Sequence, residues 1–170
     1  MKEGYERIWL YVLLLLIQIF LSDYANIGPY IYLCCLPALV LLMPIEQRTA
    51  VSMGLAFLAG LAVDLLGDGI IGLNAAAAVA LAAVRKPLLW ALFNKNNIER
   101  GELPSFQDAG IIRHINFIAA SLAVFFIVYV CIDSAGMETL LTSVLRFVLS
   151  VAANLVLLLA LDYFMLRSEE

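Results

Sequence analysis

Charge is scarce in this chain of 170 residues: Asp, Glu, Lys and Arg together make up 14% of it, against 64% hydrophobic residues. That balance excludes an aqueous globular domain, whose apolar fraction lies near one half. Histidine is nearly absent. With His114 alone, a zinc-protease motif lacks its second imidazole. The three cysteines, Cys34, Cys35 and Cys131, lie within or beside apolar runs, where thiols act as small hydrophobes and report no redox compartment. With one His, no metal site of recognised spacing is expected, and no cofactor. Polar segments are rare as well, and residues 94–110 form the one sizeable aqueous stretch. A net charge of −4 says little about partners in a chain where position relative to a membrane decides the meaning of each charge. Nucleic-acid binding has no support.

What fills the chain is a series of apolar runs, near 8–21, 29–43, 51–66, 71–84, 115–132 and 140–161. Six crossings of a bilayer account for them, although the second and fourth are short for the roughly 20 residues a spanning helix needs. The basic residues then fall on one side: Lys2 and Arg7, Arg48, the group from Arg85 to Arg113, and Arg167. By the positive-inside rule that side is the cytoplasm, with both termini on it. The expected fold is an all-α polytopic bundle of six transmembrane helices, one integral membrane domain over 1–170. Residues 21–24 lack the small-x-small pattern of a cleavage site, so the first helix is expected to be retained.

Interface markers agree with these ends. Tyr5, Trp9, Tyr11, Trp90, Phe93, Tyr163 and Phe164 cluster at the inner boundary, and Tyr24, Tyr30 and Tyr129 at the outer one, the depth that aromatic rings prefer. Pro37, inside the second run, predicts a kink or a break in hydrogen bonding that protein must cover. Residues 87–93 either follow the inner interface or extend the fourth helix. Ser52, Ala56, Gly60 and Asp64 recur every four residues, and alanines crowd 75–83; small faces of this kind let helix backbones approach closely, predicting a tight hairpin across 67–72. A substrate-lined cavity is the alternative use of such a face. The turn matches G-x-G-x-x-G literally, but the fingerprint requires a preceding strand. Its glycines fit a tight turn, with Gly67 ending one helix and Gly72 opening the next.

Asp64 and Asp68 do not make a catalytic carboxylate pair, since an intramembrane protease places its second carboxylate on another span. Alcohol phosphotransferases need an Arg soon after Asp-Gly, which is absent. His114 reads as an interfacial residue. Arg146, inside the last run, needs a partner or a wet route out, and Asp64 is the expected partner, with snorkelling the alternative. Asn74 and Asn154 are expected to hydrogen-bond between helices.

The stretch Gly60-Leu-Ala-Val-Asp64-Leu-Leu-Gly-Asp-Gly-Ile-Ile-Gly72-Leu-Asn-Ala resembles the signature hairpin of the MreD family of rod shape-determining membrane proteins. There a Gly–Asp pair near the end of one span precedes a Gly-Leu that opens the next; Gly60, Asp64, Gly72 and Leu73 occupy those places. The resemblance implies a non-enzymatic inner-membrane component of the bacterial elongation machinery. It would bind MreC and, through it, the MreB filament and the peptidoglycan synthases RodA and its partner transpeptidase. That family is similar in fold to the substrate-binding S-components of energy-coupling-factor vitamin transporters, which supply the alternative function. S-components dock their coupling subunit through an Ala-x-x-x-Ala face on the first helix, whereas residues 9–18 here are bulky. Structural or interaction roles therefore fall to Gly60, Asp64, Gly72, Asn74, Arg146 and Asn154.

Overall fold

A computed structural model describes residues 2–24, 30–68, 70–93, 111–133 and 140–167. Among these residues the structure is helical: α1 (Lys2–Tyr24), α2 (Leu36–Leu41), α3 (Thr49–Val63), α4 (Leu73–Leu92), α5 (Ile111–Asp133) and α6 (Leu140–Arg167). One π-helical turn, Asp64–Asp68, extends α3. Among the described residues four stretches are long and apolar enough to cross a membrane: Thr49–Gly67, Leu73–Leu92, Ile111–Asp133 and Leu141–Leu161. The apolar part of α1, Trp9–Ser22, is shorter. The described residues thus form a helical membrane bundle, with four long apolar helices where six spans were expected.

The expected second span is where the departure lies. Residues 31–34 have no regular structure, and α2 has only six residues, about 9 Å of helix against a hydrocarbon core about 30 Å thick. Pro37 does not kink a long helix; it sits in the first turn of α2, where its missing N–H has no helical acceptor to lose. Cys34 and Cys35 precede α2 and lie outside helix. Both are buried in or beside the irregular segment. The polar stretch 94–110 lies outside the described residues, as do the side chains of Tyr5, Tyr24, Asp68, Tyr163 and Phe164.

α4 is the central helix, packed between α3 and α5. Ser52, Ala56, Ala59, Gly60 and Val63 are the buried residues of α3, so the small face packs against α4 as expected. Alanine is both the best helix former and small enough to admit a neighbouring backbone, and Ala75, Ala77, Ala78 and Ala82 of α4 are buried. A Cβ on Gly60 would stand 2.5 Å from the Ala75 Cα. α4 runs on through Pro87 to Leu92, extending the fourth helix beyond its apolar run. Phe93 then meets Phe117 of α5 edge-on, ring centroids 5.6 Å apart. α5 adds Leu122, Phe125 and Phe126 to the core, and α6 packs along α5.

Two ends of the bundle can be told apart. One carries the α3–α4 turn, the end of α5 and the start of α6; the other carries the α2–α3 connection and Phe93. Trp9 and Trp90 are exposed near the second end, as interfacial aromatics are.

Candidate functional site

The sequence singled out residues at the hairpin end, and their geometry begins with a helix that lacks its own cap. α4 opens at Gly72, whose φ of +99° is left-handed and suits glycine. Gly72 has no side chain to accept the orphan N–H groups of the first turn. Asp64 does so from the preceding helix. Its Oδ2 accepts the N–H of Gly72 at 2.8 Å and of Ala75 at 3.2 Å, and its Oδ1 accepts that of Asn74 at 2.9 Å. The carboxylate is fully buried, compensated by three donors and by the positive end of the α4 dipole. The π turn that starts at Asp64 sits at this junction.

A second polar assembly holds the irregular segment. Tyr32, Cys34 and Cys35 lie outside helix, so their N–H groups need partners that the segment cannot supply. The Tyr32 N–H donates to Ser150 Oγ at 3.1 Å, that of Cys34 to Asn154 Oδ1 at 2.7 Å, and that of Cys35 to Gln18 Oε1. Asn154 Nδ2 donates to the Tyr32 carbonyl at 2.6 Å and to that of Ser150 at 2.8 Å. Gln18, Ser150 and Asn154 are all fully buried. The Tyr32 hydroxyl donates to Asn74 Oδ1 at 3.3 Å, and its ring stacks on Tyr129 at 4.6 Å. Asn74 therefore joins the hairpin cap to the irregular segment.

Gly60, Asp64, Gly72 and Asn74 are thus brought together, and Asn154 reaches them through Tyr32. Arg146 is separate, which corrects its expected partner. It forms an ion pair with Asp133, because α6 lies along α5 and both Asp64 oxygens are already engaged by α4. Its guanidinium also stands 6.0 Å from the Tyr129 ring centroid, at the limit of a cation–π contact. Arg146→Leu and Asp133→Asn should therefore show a coupling of about 1 kcal/mol in a double-mutant melting cycle. Arg146→Leu and Asp64→Asn should be additive; coupling between those two would refute the assignment.

Residues not singled out by the sequence carry much of the arrangement. Gln18 is an amide in the otherwise apolar run 12–21, a signal that was present. Arg85 read as one of a group of flanking cations, yet it is 2% exposed. Its Nη2 donates to the carbonyls of Leu41, at 2.9 Å, and of Met43. A guanidinium on the carbonyls that end α2 mirrors Asp64 on the amides that start α4. His114 is likewise buried rather than spread on an interface. Among the described residues no three His, Cys, Asp or Glu side chains converge as a metal site. No family model, curated protein or solved structure matches the chain.

Proposed function

We propose that this chain is a non-enzymatic scaffold of the bacterial inner membrane, a component of the elongation machinery that governs cell shape. It binds MreC and, through it, the MreB filament and the peptidoglycan synthases RodA and its partner transpeptidase. The observation that carries this reading is the use made of the motif residues in the hairpin that resembles MreD. Gly60 allows the backbone contact, Asp64 spends both oxygens on the start of α4, and Gly72 supplies the left-handed turn. These roles make a rigid hairpin, and rigidity is what a docking platform needs.

The partner contact falls on lipid-facing helix surface. α6 buries Ser150, Asn154 and Leu158 on one stripe and exposes Leu141, Leu145, Val148 and Val156 on another. A single-span partner would pack there by shape, since lipid offers no hydrophobic gain for helix association. Leu145→Trp with Val148→Trp should abolish co-purification of MreC while leaving helical content and insertion unchanged; retention of MreC would move the contact elsewhere. Both termini and residues 94–110 are cytoplasmic in this reading, because the basic flanks lie together. Reporter fusions within 96–104 should give cytoplasmic signals, and an external signal would overturn the orientation.

The vitamin-carrier reading keeps one specific support. A non-helical segment inside a membrane bundle, held by polar side chains, is the kind of place where transporters bind substrate, and residues 31–34 are such a segment. Tight binding of a vitamin-sized ligand by purified protein, with co-purification of a transporter ATPase and not of MreC, would replace the scaffold by the carrier.

A further inference from the structure

The shortness of α2 leaves a bay in the wall of the bundle. α1 and α3 flank it as longer helices, and between them α2 fills only about 9 Å of depth. The result is a groove of about 900 Å³. Leu39 and Met43 form its floor, Leu16 stands on the α1 side, and Leu55 and Leu58 stand on the α3 side. Leu16, Leu55 and Leu58 are 57%, 45% and 61% exposed, so the groove opens sideways to the surroundings of the bundle. For a membrane-embedded helix pair those surroundings are hydrocarbon, and an unfilled apolar bay forfeits its dispersion contacts.

One end of the groove is not apolar. Glu46 and Gln47, in the connection between α2 and α3, also line it, and Glu46 is exposed. Arg48, next along the chain, is exposed as well. The exposed Trp9 lies one helical turn before Val12, another lining residue, and marks this end as the depth of lipid headgroups. A carboxylate and an amide at this depth complement a headgroup that carries an ammonium. We propose that this groove is a binding site for one phospholipid with a zwitterionic amine headgroup, such as phosphatidylethanolamine. Its acyl chains lie along Leu16, Leu55 and Leu58, and its ammonium meets Glu46.

The test is native mass spectrometry of delipidated protein offered equal amounts of phosphatidylethanolamine and phosphatidylglycerol. The expected result is one retained phosphatidylethanolamine, preferred about fivefold, the scale of a single exposed charged contact. Glu46→Gln should remove the preference, so that the two lipids are retained equally. Leu55→Trp with Leu58→Trp should remove the bound lipid at unchanged helical content, and Leu16→Trp blocks the groove from the opposite wall should the first variant fail to fold. Equal retention of the two lipids by the unaltered protein overturns the headgroup assignment. Lipid persisting in both blocked variants overturns the site, as does cross-linking of Leu58→Cys to a second copy or to a partner helix instead of lipid. None of these outcomes depends on MreC, so this proposal and the scaffold reading fail separately.

Discussion

Asp64→Ala should leave little folded protein to purify. The substitution removes the acceptor of three N–H groups at the start of α4, in a place with no exposure where water does not replace it. Each buried donor left without an acceptor costs about 1–3 kcal/mol, and three together approach the whole stability of many domains, about 5–15 kcal/mol. Asp64→Asn keeps one oxygen but sets an amide N–H₂ against backbone donors and loses the charge that the helix dipole favours, so an intermediate loss is expected. Yield of monodisperse protein in detergent and its melting temperature measure both. A wild-type melting temperature for Asp64→Ala would show that α4 starts without this cap.

Gly60→Val should disrupt the α3–α4 contact, while Gly54→Ala, on the same helix, should be neutral or stabilising by up to about 1 kcal/mol. The two glycines differ in what a Cβ would meet. At position 60 it meets the Ala75 backbone at 2.5 Å and the Asn74 carbonyl carbon at 2.8 Å; these are atoms of a packed helix and cannot rotate away. At position 54 nothing lies within 4 Å. Overpacking of this kind costs about 1–3 kcal/mol or more, and here it also displaces Asn74, which holds the Tyr32 hydroxyl. Equal melting temperatures for Gly60→Val and Gly54→Ala would show that the helices can separate without loss.

Much of the hairpin was legible because its signals are local. The four-residue spacing of Ser52, Ala56, Gly60 and Asp64 marks one helix face by periodicity alone, and Gly72 marks a turn by its conformational freedom. The role of Asp64 was not legible in the same way. An acid near the end of a span has several possible partners, and which one it meets depends on how neighbouring helices are placed. The cation that the sequence places inside an apolar run, Arg146, belongs to a helix that packs on α5, and its carboxylate partner is Asp133. Arg85 misled for the related reason that a basic residue at the edge of an apolar run reads the same whether it faces headgroups or the end of α2.

Composition and hydropathy by themselves determined that this is a helical membrane protein, since a chain so poor in charge satisfies its backbone in lipid only through helices or closed barrels, and its apolar runs have helix length and small-residue helix faces. They also placed the α3–α4 hairpin. Only the tertiary structure decided that residues 31–34 are not helical. An apolar run containing Pro37 is compatible with a kinked span, and what opens it is a set of side chains from distant elements, Gln18, Ser150 and Asn154, that supply the hydrogen bonds a helix would have made. The bonds of Ser150 and Asn154 bridge 118 and 120 positions and that of Gln18 bridges 17, all beyond the reach of a helical or strand period. They exist because α1 and α6 are brought beside the same segment, and that is a property of the packed bundle.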